Sequence, residues 1–104
     1  MFIGVYELDG VVNYGIYYKN GGYDIWFKET FSPETNIIGV LDLQVKGKNY
    51  AEKKAYAEDL AKEYQLYYAD YSWSYGELAE IQGYFEKIGK RYGLLKVFKE
   101  NAIC

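Results

Sequence analysis

Tyr50 and Lys54 stand four residues apart, so on a helix a phenol would lie beside an ammonium, an arrangement suited to proton transfer. Without a dinucleotide-binding βαβ unit to give it meaning, the spacing reads as chance. No GxGxxG turn and no GxxxxGK[ST] loop occurs in the chain, and Gly21-Gly22 has the character of a hairpin turn. Gly15-Ile16-Tyr17 has no matching Tyr-Ile-Gly downstream, and the one arginine, Arg91, lies far from it. Histidine is absent, which removes serine and cysteine triads, imidazole bases and histidine metal sites. The single cysteine, Cys104, cannot build a thiolate zinc site or an internal disulfide. Neighbouring acids such as Glu58-Asp59 lack calcium-loop spacing and read as solvent-facing helix residues. A carboxylate pair for glycoside hydrolysis is defined by its separation in space, and nothing in the sequence singles one out. The expectation is a non-enzyme with no metal and no cofactor.

What the chain has in excess is aromatic surface. Its 104 residues include 14 tyrosines, 5 phenylalanines and 2 tryptophans. A core this small cannot bury so many rings and also pair every hydroxyl, so some must face solvent. Tyrosine and tryptophan dominate binding hot spots because they cover much area with few rotors. Tyr67, Tyr68, Asp70, Tyr71, Trp73, Tyr75, Glu77 and Glu80 crowd into one short stretch. From it Tyr67, Tyr68, Asp70, Tyr71, Trp73, Glu77 and Glu80 are the predicted partner-contacting set. Tyr6, Tyr17 and Trp26, expected on one sheet face, form a second candidate patch.

Charge adds to this. Between Glu58 and Glu86 there are seven carboxylates against one cation, Lys62; then follow Lys87, Lys90, Arg91, Lys96 and Lys99, with Glu100 the one acid among them. An aromatic, acidic surface suits a basic partner, including the groove of a nucleic-acid-binding protein, where carboxylates take phosphate positions. Small size, a net charge of -3 and the lack of catalytic groups give a profile that resembles phage-encoded inhibitors of bacterial defence systems. The resemblance implies an inhibitor that binds another protein in the host cytoplasm. The alternative is a single-stranded nucleic-acid-binding domain stacking bases on Tyr6, Tyr17 and Trp26, which the acidic balance disfavours. A homodimer is a further use for an aromatic sheet face. A carboxylate-and-tyrosine enzyme or a sugar-binding module ranks last. No apolar stretch approaches the roughly 20 residues that span a bilayer, and the N-terminus has no leader pattern, so a cytoplasmic protein without membrane contact is expected.

The elements that must position these residues are readable in part. Phe2 to Leu8 and Val11 to Lys19 are β-branched and aromatic and flank Asp9-Gly10, the dipeptide of a type I′ hairpin. A two-residue turn pairs Leu8 with Val11, Tyr6 with Asn13, Gly4 with Gly15 and Phe2 with Tyr17. It leaves Ile3/Ile16, Val5/Tyr14 and Glu7/Val12 on the other, more aliphatic face, which is assigned to the core. Asn20-Gly21-Gly22 leads into a third strand, Tyr23 to Glu29, with Ile25 and Phe27 inward; Ile37 to Val45 reads as a fourth.

Asn49 with Glu52 opens a helix to about Tyr64 or Leu66, with Ala57, Leu60, Ala61 and Tyr64 inward and Glu58 and Lys62 paired outside. Ser74 with Glu77 opens another, with Leu78, Ile81, Phe85, Ile88 and Tyr92 inward and Gly93 as its stop. Gln65 to Trp73 is taken as a strand or extended connection, and Leu94 to Phe98 as a final strand. The predicted fold is a single α+β domain over residues 1–104, with strands over 1–46, helices over 49–92 and a last strand over 94–99. Its antiparallel meander has four to five strands with two helices packed on one face.

Overall fold

The computed structural model describes residues 1–18 and 35–104. The chain divides into two compact units, Met1–Gln44 and Val45–Cys104. The predicted third strand over Tyr23 to Glu29, and Trp26 with it, lies outside the described residues.

In the first unit β1 (Phe2–Leu8) pairs antiparallel with β2 (Val11–Tyr17) in the register expected from the turn, from Leu8 opposite Val11 to Phe2 opposite Tyr17. Asp9 and Gly10 both take positive φ, 52° and 79°, the pair of left-handed conformations that a type I′ turn requires. On its other side β1 pairs antiparallel with β3 (Asn36–Asp42), giving the order β2-β1-β3. The β1–β3 register shifts between Val5/Tyr6, since Val5 faces Gly39 while Tyr6 faces Ile37. Ile38 is the extra residue of this bulge, and it is exposed.

Ile3, Val5, Leu41 and Leu43 are all buried, as the aliphatic face predicts. Burial fades along the hairpin, because Tyr14 and Ile16 are half-buried while Glu7 and Val12 are exposed. The face assigned to solvent is closed at one end. Phe2 is buried, and its ring lies 5.7 Å from that of Tyr17. Tyr17 also covers Gly15, where an added Cβ would sit 3.1 Å from the phenol oxygen. A glycine beneath an aromatic cross-strand pair leaves room for the ring to lie flat on the sheet.

The second unit is helical. α1 (Tyr50–Tyr67) is capped by Asn49, whose side-chain oxygen accepts from the Glu52 N–H at 2.9 Å, while the Glu52 carboxylate accepts from the Lys48 N–H at 2.7 Å. α2 (Tyr75–Tyr92) carries the predicted capping box between Ser74 and Glu77 and stops at Gly93, with φ 68°. α1 buries Ala57, Leu60, Ala61 and Tyr64, the predicted stripe; in α2 Ile81, Phe85, Ile88, Gly89 and Tyr92 are buried and Leu78 is half-buried. The two run antiparallel, since Tyr50 at the start of α1 stacks 5.7 Å from Tyr92 at the end of α2, and Tyr64 lies 5.4 Å from Phe85.

Three corrections to the predicted architecture follow. Among the described residues the sheet has three strands, not four to five. Leu94 to Phe98 is not a strand: Leu95–Glu100 forms a third helix, α3. Leu94 and Phe98, four residues apart, are both buried, and the Phe98 ring packs edge-on 5.9 Å from Phe85. Gln65 to Trp73 is not a strand either, because α1 continues through Tyr67 and the chain then turns.

Gly89 lets α3 close on α2. An added Cβ would stand 3.1 Å from Leu95 Cα and from Phe98 Cδ2, while the Leu94 N–H donates to the Gly89 carbonyl at 2.8 Å and pins the backbone. A Cβ on the exposed Gly83 would meet nothing within 4 Å. Gly83→Ala should therefore stabilise the fold by about 1 kcal/mol through helix propensity. Gly89→Ala, despite the same propensity gain, should destabilise it by about 1 kcal/mol through overpacking. Urea unfolding of the two variants followed by circular dichroism measures both signs.

Candidate functional site

The stretch from Tyr67 to Glu80 joins the end of α1 to the start of α2, and hydrogen bonds define its course. The Tyr68 and Ala69 N–H groups both donate to the Tyr64 carbonyl, at 2.9 and 3.0 Å, ending α1. Trp73 donates its backbone N–H to the Tyr71 carbonyl at 2.9 Å and its indole N–H to the Tyr68 carbonyl at 2.8 Å. The indole thereby closes the connection over its own first residue. Tyr71 packs against it edge-on, ring centres 6.4 Å apart.

This geometry divides the predicted contact set. Tyr67 is exposed, as are Asp70 and Glu80. Tyr71 and Trp73 are half-buried and spend part of their surface on each other. Glu77 is half-buried and engaged with Ser74 in the capping box. Tyr68 is buried, so its ring belongs to the core. Reading the stretch as extended concealed this, whereas Leu60, Tyr64 and Tyr68 at four-residue steps continue the inward stripe of α1 by one turn. The same phase turns Leu66 outward at 66% exposed, beside Tyr67 at 64%. Tyr75, the first residue of α2, is 91% exposed, the most open of the large apolar side chains among the described residues. Leu66 and Tyr75 are thus the surface residues that the predicted set omitted.

In the second candidate patch Tyr6 is half-buried, and so is Tyr17, which leans on Phe2 and covers Gly15. Trp26 lies outside the described residues.

The electrostatics of the α1–α2 end are one-sided. The last turn of α1 contains no basic residue, so its partial negative charge is not offset from within the helix, and Glu63 and Asp70 are exposed beside it. Lys62, the one cation of this stretch, pairs with Glu58 at 3.7 Å. At the opposite end of the helix pair Lys90 pairs with Glu86 at 3.0 Å, and Arg91 lies over the Tyr92 ring at 5.7 Å. The Lys90 hydrogen bond, its charge and that of Lys99 hold the Glu86 carboxyl below its ordinary range. The Tyr50–Lys54 pair sits at this basic end too: a Cβ on Gly93 would lie 3.6 Å from the Tyr50 hydroxyl and 3.9 Å from Lys54 Nζ. There the ammonium complements the carbonyl end of α2.

Among the described residues no group of three or more histidine, cysteine, aspartate or glutamate side chains is placed to hold a metal ion, and no helix is long and apolar enough to cross a membrane. Burial, together with Glu86, pushes the Cys104 thiol up, against a smaller opposing pull from Lys99, which disfavours the thiolate. A cleft of about 70 Å³ between α1 and α3, floored by Ala61, Phe98 and Ile103, is far smaller than the roughly 300 Å³ of a small-molecule pocket.

Two expectations test the connection. Trp73→Phe removes the indole donor and leaves the Tyr68 carbonyl with the long 3.5 Å bond from the Tyr71 N–H, so unfolding should cost about 1 kcal/mol less. Burial, Glu63 and Tyr71 all raise the Tyr68 phenol above its ordinary value, and burial raises Tyr64 likewise. A neutral phenol favoured by the folded state contributes stability that is fully present below about pH 10 and is lost as pH rises through the folded-state value. Tyr68→Phe should flatten the fall in melting temperature between pH 9 and 11. No protein-family model, curated protein or solved structure matches this chain, so what its surface does is inferred from its own residues.

Proposed function

We propose that this protein is a non-enzymatic binding module that covers a basic surface of another protein with the end of its helix pair where α1 hands over to α2. The observation that carries this is the coincidence of Leu66, Tyr67 and Tyr75, each more than 60% exposed, with Glu63, Asp70 and Glu80 on the same stretch. Large apolar rings rimmed by charge of one sign are costly to leave in water and favourable to cover. The carboxylates steer encounter with a positively charged partner and reject acidic ones. Such a module acts by occlusion, in the manner of an inhibitor that denies the covered surface to its usual ligand.

The nucleic-acid alternative draws less support. Its base-stacking patch loses Tyr17 to Phe2 and Gly15, and two of the basic residues that would hold phosphates are engaged with Glu86 and Tyr92.

The test is capture of partners by the tagged full-length chain, compared with two double variants, Tyr67→Ala/Tyr75→Ala and Asp70→Lys/Glu80→Lys. All four residues are exposed, and far-UV circular dichroism and melting temperature verify that each variant keeps the parent fold before capture is compared. The expected result is a partner held by the parent and released by both variants. Equal retention by all three would disprove the assignment of this surface. Glu77 is left intact because reversing it would break the α2 capping box.

A further inference from the structure

We infer that the surface formed by Leu66, Tyr67, Asp70 and Tyr75 selects arginine over lysine, so that the partner segment it covers is arginine-bearing. This deepens the proposed function and rests on it.

Both cations answer the negative charge of Glu63, Asp70 and the α1 carboxyl end, whose last turn brings no lysine or arginine of its own. Charge alone therefore predicts a basic partner without choosing between them. The choice comes from what surrounds the carboxylates. Tyr67 and Tyr75 stand well out from the helices, and Leu66 adds an aliphatic flank. Lysine carries a compact, strongly hydrated charge that loses water when pressed against a ring. Arginine carries a flat, weakly hydrated one that stacks on a ring while its edge still donates to a carboxylate in a fork. The chain already holds one guanidinium over a phenol ring, Arg91 at 5.7 Å from the centre of Tyr92. A stretch that exposes both carboxylates and phenol rings thus offers arginine two kinds of interaction where lysine gains chiefly one.

The capping box supports this division of labour. Glu77 faces the positive start of α2 and is occupied by Ser74, while the exposed Glu63 and Asp70 belong to the negative end of α1. The exposed carboxylates therefore adjoin a helix end that also attracts cations and, unlike that of α2, has no basic residue in its last turn.

The experiment measures fluorescence anisotropy of labelled deca-arginine and deca-lysine titrated with the full-length protein at fixed, moderate salt. The two probes carry equal charge, so a purely electrostatic surface would bind them alike. Deca-arginine should bind at least about five-fold more tightly, the gain of one or two exposed ring contacts. In Tyr67→Ala/Tyr75→Ala the two affinities should converge while residual, salt-sensitive binding remains. In Asp70→Asn both should weaken. Equal affinities for the parent, a preference that survives loss of both rings, or no binding of either probe would each overturn arginine selection. None of these outcomes bears on whether the same surface holds a protein partner, which the capture experiment decides separately.

Discussion

The helical unit is organised by one wholly buried ring, Phe85. It lacks a hydroxyl, so it can sit in the dry centre with no partner to find, and Tyr64, Tyr84 and Phe98 close on it with centroids between 5.4 and 5.9 Å. Through those contacts one side chain of α2 touches both α1 and α3. Gly89, one turn further on, has no Cβ to hold α3 away, and Gly93 turns the chain back so that Leu94 and Phe98 can reach the cluster. Within this unit a tyrosine can lean toward that centre only as far as its oxygen stays near water or a donor.

That constraint sorts the tyrosines and so shapes the surface. Tyr64, Tyr68 and Tyr92 lie on inward phases and are buried, with burial raising the first two phenols. Tyr67 and Tyr75 lie one step out of phase and have no core to join. The connection between them is short and spends its one tryptophan on holding itself, through the indole bond to the Tyr68 carbonyl. The exposed rings are the remainder left when a tyrosine-rich stretch folds as helix, turn and helix. Leu66 and Tyr67 stand in the last turn of α1, where no basic residue offsets the carboxyl end of the helix, and Tyr75 opens α2.

Charge follows the helix pair from end to end. Each helix of 18 residues is about 27 Å long, well beyond the Debye length of about 8 Å at physiological salt, so the acidic and basic ends act as separate fields. At the basic end the cations are partly spent on Glu86 and Tyr92, and at the acidic end Glu63 and Asp70 face water. A net charge of -3 conveys none of this, because it averages two regions of opposite character.

Local rules were sufficient for much of the fold. Asp9-Gly10 determined the hairpin register by itself, since only one pairing is compatible with a two-residue turn of positive φ. Asn49, Ser74, Glu77 and Gly93 marked helix ends because unsatisfied backbone groups need those side chains or that conformation, and four-residue spacing named the buried faces of α1 and α2. Tertiary structure alone decided the rest. Leu94 to Phe98 is too short for its spacing to choose between strand and helix, and packing of Phe98 on Phe85 rewards a helix there. Tyr68 and Tyr75 are alike as residues. One is covered and the other bare because α1 runs on to Tyr67 and carries the first inward, where the Trp73 indole bonds its carbonyl, while the second lies out of phase at the start of α2.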